Sequence, residues 1–177
     1  MKRILILAAV ASLTVGVIGT ASADDDHDGD SERRDVKASL SGFAEVPSIS
    51  TTGTGKLRLR IDPGTSTITY ELTYSGLQGG AVTGAHLHFA QVGVAAPGNV
   101  IASLCGGTEA ACPATPAGVL AGTIVPAEIL GPAAQGIAPG EFAEVLRAIR
   151  AGAVYANVHT TTYSGGEIRG QLKGGKW

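Results

Sequence analysis

Alternation with a period of two constrains this chain more than any other feature. In residues 56–61, Leu57, Leu59 and Ile61 fall on one face, and Lys56, Arg58 and Arg60 on the other. Beyond an Asp62-Pro63-Gly64 turn, Ile68, Tyr70, Leu72 and Tyr74 alternate with Thr67, Thr69, Glu71 and Thr73. Successive side chains on a strand point to opposite faces. The two runs therefore read as a hairpin with one buried face, whose register cannot slip by one residue without exposing its oily side. A second hairpin sets Val154, Ala156, Val158 and Thr160 against Tyr155, Asn157 and His159. After the Tyr163-Ser164-Gly165-Gly166 turn, Ile168, Gly170 and Leu172 alternate with Glu167, Arg169 and Gln171. Further strands are expected at 84–89, 99–104 and 119–125. Frequent turn residues (26 Gly, 8 Pro) agree with a mainly β, antiparallel Greek-key sandwich or barrel.

One helix is expected. Phe142, Val145, Leu146 and Ile149 recur at i, i+3, i+4, i+7, with Glu141 and Glu144 early and Arg147 and Arg150 late, as the helix dipole prefers. Its apolar stripe should pack over an open end of the sheets.

The ends read differently from the middle. Met1-Lys2-Arg3, an apolar stretch to Ile18 and Ala21-Ser22-Ala23 have the order of a cleaved secretory signal peptide, residues 1–23. Its apolar run is shorter than the ~20 residues a membrane span requires, and no second such run occurs, so no span is expected in the mature form. Residues 24–36 begin with DDDHDGDSERRD, which cannot bury enough apolar surface to offset ordering, and read as a charged tail. The domain should occupy 37–173, with 174–177 a short tail. Cleavage would remove two of the 13 basic residues and none of the 15 acidic ones. No basic stripe remains for a nucleic acid.

Cys105 and Cys112 are the only cysteines. In a chain read as secreted or periplasmic they should form a disulfide pinning a loop.

The polar faces carry the candidate chemistry. His86 and His88 lie two apart on one strand, so both imidazoles project from one side, about 7 Å apart at Cα. His159 could supply a third nitrogen if its strand is a neighbour, a set that suits copper or zinc. Glu45 or Glu167 could add an oxygen or orient a histidine through its second nitrogen. The competing reading is a polar cluster in which the histidines bond Glu45, Asn157, Glu167 and Arg169 and fix strand register. Arg169 is expected to form a cross-strand salt bridge.

Three blocks resemble the CHRD domain, first named from chordin. They are Leu40-Ser41-Gly42-Phe43-Ala44-Glu45-Val46-Pro47; Gly84-Ala85-His86-Leu87-His88-Phe89; and residues 154–160 continuing through 165–172. The resemblance implies an extracellular β domain and says little about activity. More loosely, the His-x-His strand is similar to the metal strand of copper/zinc superoxide dismutases, without that family's bridging histidine or zinc loop. No catalytic nucleophile motif accompanies the histidines, so an enzyme is not expected. Two functions stay open. One is a non-catalytic binding or structural module for an extracellular or periplasmic protein or surface. The other is a copper- or zinc-binding protein using His86, His88 and His159, with redox activity conceivable.

Overall fold

The computed structural model describes residues 34–95 and 99–173; the expected signal peptide, most of the charged tail and residues 174–177 lie outside them. The elements are β1 (Arg34–Ser41), β2 (Thr54–Asp62), β3 (Thr67–Ser75), β4 (Val82–Phe89), β5 (Val100–Cys105), β6 (Gly118–Ile124), α1 (Phe142–Arg150), β7 (Val154–Thr160) and β8 (Ile168–Gln171). They form one eight-stranded antiparallel sheet in the order β5-β4-β7-β8-β1-β2-β3-β6. The sheet curls until its edges approach. The Tyr70 hydroxyl of β3 donates to the Leu104 carbonyl of β5 at 2.9 Å, and the Leu130 amide, beyond β6, donates to Ile101 at 2.8 Å. The result is a nearly closed barrel. Connections from β3 to β4 and from β6 to β7 skip neighbouring strands, as a Greek key does.

The alternation does its expected work. Leu57 pairs with Leu72 and Ile61 with Ile68, all four side chains inside the barrel and sealed from water. Each such burial is worth roughly 1.5–3 kcal/mol relative to exposure. Helix α1 buries Phe142, Val145, Leu146, Ala148 and Ile149 in the same core.

One boundary moves. β1 begins at Arg34, inside the segment read as a tail to residue 36. The cause is that alternation starts earlier than the charge density suggests. Val36, Ala38 and Leu40 face inward opposite Leu59, Leu57 and Gly55, while the charged side chains between them stay outside. Asp35 there pairs with Arg58 and Arg60. The cysteines form the expected Cys105–Cys112 disulfide, with Cα atoms 5.0 Å apart, at the end of β5. Among the described residues no helix is long and apolar enough to cross a membrane.

Candidate functional site

The outer face of β4, β7 and β8 holds the histidines. Ala85, Leu87 and Val158 point into the core, so their neighbours on each strand must point out. Antiparallel pairing sets Gly84 opposite His159, His86 opposite Asn157, and His88 opposite Tyr155. Asn157 in turn lies opposite Arg169 on β8. Two strands far apart in sequence, β4 and β7, thus bring three imidazoles together. Their ring centroids are 4.9 Å (His86–His159), 5.5 Å (His86–His88) and 6.1 Å (His88–His159) apart. One nitrogen from each lies within 4.8 Å of the others.

This face is partly roofed. Residues 90–95, after β4, fold across it. Arg169 donates to the carbonyls of Val94 (2.8 Å) and Gln91 (3.3 Å), and Gln171 donates to those of Ala90 (3.0 Å) and Gly152 (2.7 Å). Together with the Glu45–Val46 and Ser164–Gly165 segments the roof leaves a cleft of about 410 Å³ over the three histidines.

Each ring is held by a different device. His159 Nδ1 lies 2.9 Å from the Ser164 carbonyl. A carbonyl only accepts, so Nδ1 carries the proton and the neutral ring presents the Nε2 lone pair. His88 stacks on Tyr155, with centroids 4.8 Å and planes 7° apart, and the Arg169 guanidinium carbon sits 3.5 Å from the centre of that same tyrosine ring. His86 depends on Gly84, because a Cβ there would stand 2.8 Å from its Cε1.

Burial keeps the rings neutral. It brings His86 down to about 4, helped by His159, and His88 down to about 3, helped by His86, His159 and Arg169 and opposed by Asn157. It also lowers His159, against the Ser164 carbonyl. Among the described residues, His86 Nδ1, both nitrogens of His88, and His159 Nε2 are buried with no hydrogen-bond partner. Buried polar atoms are ordinarily satisfied. Lone pairs left free and unprotonated are what a divalent metal uses.

The expected supporting residues divide. Asn157 and Arg169 lie in the cleft wall with the histidines, and so does Glu45. Burial pushes the Glu45 carboxyl up to about 7, opposed by Arg169 and by the Val46 amide. Glu167 goes elsewhere. Its fully buried carboxylate accepts from Thr51 Oγ1 (2.7 Å), the Gln78 amide (2.6 Å), the Gly79 amide (2.9 Å) and Thr160 Oγ1 (2.9 Å) at the barrel end. Burial alone would raise it, but the four donors outweigh that and hold it below the ordinary carboxylate range. Among the described residues Arg169 therefore forms no salt bridge, contrary to expectation. With Glu167 turned away, the guanidinium satisfies itself on backbone carbonyls and an aromatic face.

Sequence reasoning missed Tyr155 and Gly84 as parts of the site. Both share the histidines' face, which alternation could have flagged. The stacking and close approach that give them a role are purely spatial.

Fold and site together define a β-barrel domain with a partly roofed histidine cleft on its outer wall. Residues 36–172 match the CHRD domain, and the chain belongs to that family. No curated protein matches the sequence significantly.

Proposed function

We propose that this CHRD domain binds one copper or zinc ion on His86, His88 and His159. The observation that carries this reading is the convergence of three neutral imidazoles, one buried and two half-buried, whose free nitrogens lie within 4.8 Å of one another. Tetrahedral coordination at 2.0–2.1 Å would place them about 3.4 Å apart, a contraction of up to about 1.4 Å that side-chain adjustment can supply. Nitrogen-rich sets of this kind suit copper and zinc over calcium or magnesium. The protein acts in an oxidising compartment, outside the cytoplasm. The Cys105–Cys112 disulfide supports that placement.

The test is metal analysis of protein purified without chelators or an affinity metal, followed by calorimetric titration of the apoprotein. One equivalent bound by the wild type and lost in His86→Ala/His159→Ala is the expected result. Equal, substoichiometric metal in both proteins would overturn it.

A second reading, a module that docks an extracellular or periplasmic protein or surface, is favoured by one observation. Phe43 is 73 % and Val92 74 % exposed, and both line a shallow cleft that shares Glu45, Val46 and Arg169 with the histidine cleft. Exposed aromatic side chains are frequent anchors of interfaces.

A further inference from the structure

Three histidines complete only three positions of a four-coordinate ion. Three protein ligands with an open fourth position are the pattern of sites that take an exogenous ligand; structural sites are closed by four. Among the described residues no other His, Cys, Asp or Glu joins the three. Glu45 lines the same cleft, yet its carboxylate stands outside the group of mutually close ligand atoms.

Glu45 has an unanswered need of its own. It is only 7 % exposed, and among the described residues its buried Oε1 has no hydrogen-bond partner. It is held in place from behind. The Cβ that any other residue would bring to position 166 would stand 2.3 Å from Oε1 and 2.9 Å from Asn157 Nδ2, so glycine alone lets Glu45 sit there. The Gly166 φ of 127° suits glycine independently. A buried acceptor without a donor costs free energy unless something in the cleft donates to it. The space is of ligand size: pockets for small molecules begin at roughly 300 Å³, and this one measures about 410 Å³.

We infer that the cleft receives a small protic ligand, one atom on the metal's open position and an O–H or N–H donated to Glu45. The ligand class is water, an alcohol or a hydroxamic acid rather than an aprotic anion. The inference rests on the metal-binding reading above. An acceptor oxygen buried without a donor favours ligands that bring an O–H or N–H over bare anions. The Arg169 guanidinium does not reverse this preference, because its terminal nitrogens are engaged by the carbonyls of Val94 and Gln91.

The experiment uses cobalt(II)-loaded protein, whose visible bands report a change in coordination. Acetohydroxamic acid is the protic probe and azide the aprotic one, each titrated into wild type, Glu45→Gln and Glu45→Ala. All three proteins should take up one equivalent of cobalt, with only a modest loss of affinity where the Glu45 carboxylate is removed. Acetohydroxamic acid should bind about tenfold or more weakly to Glu45→Ala, the loss expected for a charge-assisted hydrogen bond. Glu45→Gln, which keeps a neutral acceptor, should be intermediate, and azide binding should stay the same or tighten.

Equal acetohydroxamic acid affinity in wild type and both variants would overturn the inference while leaving the metal site intact. A collapse of cobalt affinity in the variants would overturn it differently, by making Glu45 a ligand itself. No cobalt uptake by the wild type would remove the metal reading and this inference together. Should Glu45→Ala not fold, the isosteric Glu45→Gln carries the comparison, since it still removes the charge.

Discussion

The imidazole of His88 lies flat on the ring of Tyr155, 4.8 Å between centroids and 7° between planes. Neither nitrogen of His88 has a hydrogen-bond partner among the described residues. That aromatic surface orients it, with Asn157 beside it, and the Arg169 guanidinium packs on the same tyrosine ring. His159 is different, being oriented by a carbonyl in the adjoining turn.

Tyr155 should consequently act as a positioning residue for metal binding. Tyr155→Phe keeps the ring and should bind zinc or copper within about threefold of wild type. Tyr155→Leu removes the platform and should weaken binding about 10- to 100-fold, as loss of an outer support does. Calorimetric titration measures both. In a His88→Ala background the Tyr155→Leu change should add almost nothing. An undiminished further loss there would show that Tyr155 acts by stabilising the barrel instead.

Gly84→Ala tests the spacing of the cluster. The added methyl would meet His86 Cε1 at 2.8 Å, and the ring must turn away. Metal affinity should fall at least tenfold, while the far-ultraviolet circular dichroism of the β-sheet stays unchanged. Wild-type affinity in this variant would mean that His86 is dispensable.

The buried Glu167 carboxylate joins three parts of the chain, bonding the loop before β2, the 78–79 turn and the end of β7. Its folded-state affinity for protons is depressed. The stability it contributes is therefore fully present above the unfolded value, near 4.5, and is lost as pH falls through the lower folded value. Glu167→Gln replaces one acceptor oxygen with an amide NH2 that faces other donors, and should cost about 2–4 kcal/mol at pH 7. Urea midpoints should show the gap between wild type and variant closing at acid pH. A gap that is constant with pH would mean that the carboxylate's charge is not what the four donors stabilise.

Glu45 has the opposite sign. Its folded value, about 7, lies above the unfolded 4.5. Between those values the folded state keeps a proton that the unfolded state has released. In metal-free protein its contribution to stability should fall as pH rises through this window, by up to about 3 kcal/mol. Glu45→Gln should abolish that part of the pH dependence. A variant whose urea midpoint tracks the wild type between pH 4.5 and 7 would contradict it.

Reducing Cys105–Cys112 should cost about 2–3 kcal/mol in the chain-entropy account of a short closed loop. Thermal unfolding with and without reductant, at one metal concentration, measures the loss. Because Cys105 pairs with Ala85, immediately beside His86 on β4, reduction should also loosen the histidine strand, visible as faster amide exchange at 85–88.

What the sequence determined by itself is what side-chain periodicity can carry. The inward faces of β2, β3, β4 and β7, the helix stripe of Phe142 to Ile149, and the common side of His86 and His88 follow from backbone geometry within a few residues. The disulfide followed from having two cysteines in a chain read as exported. Tertiary structure alone decided which strands are neighbours. Opposite faces alternate locally, but pairing β4 with β7 is a contact across some seventy residues, and no local pattern encodes it. That contact brought His159 to the other two histidines. A positive φ at Gly166 lets Glu45 sit in the histidine cleft, while the 78–79 turn and the Thr51 and Thr160 hydroxyls hold Glu167 out of it, although both were read as members of one cluster. A carboxylate goes where donors can repay its desolvation, and those donors are assembled only when the chain closes on itself.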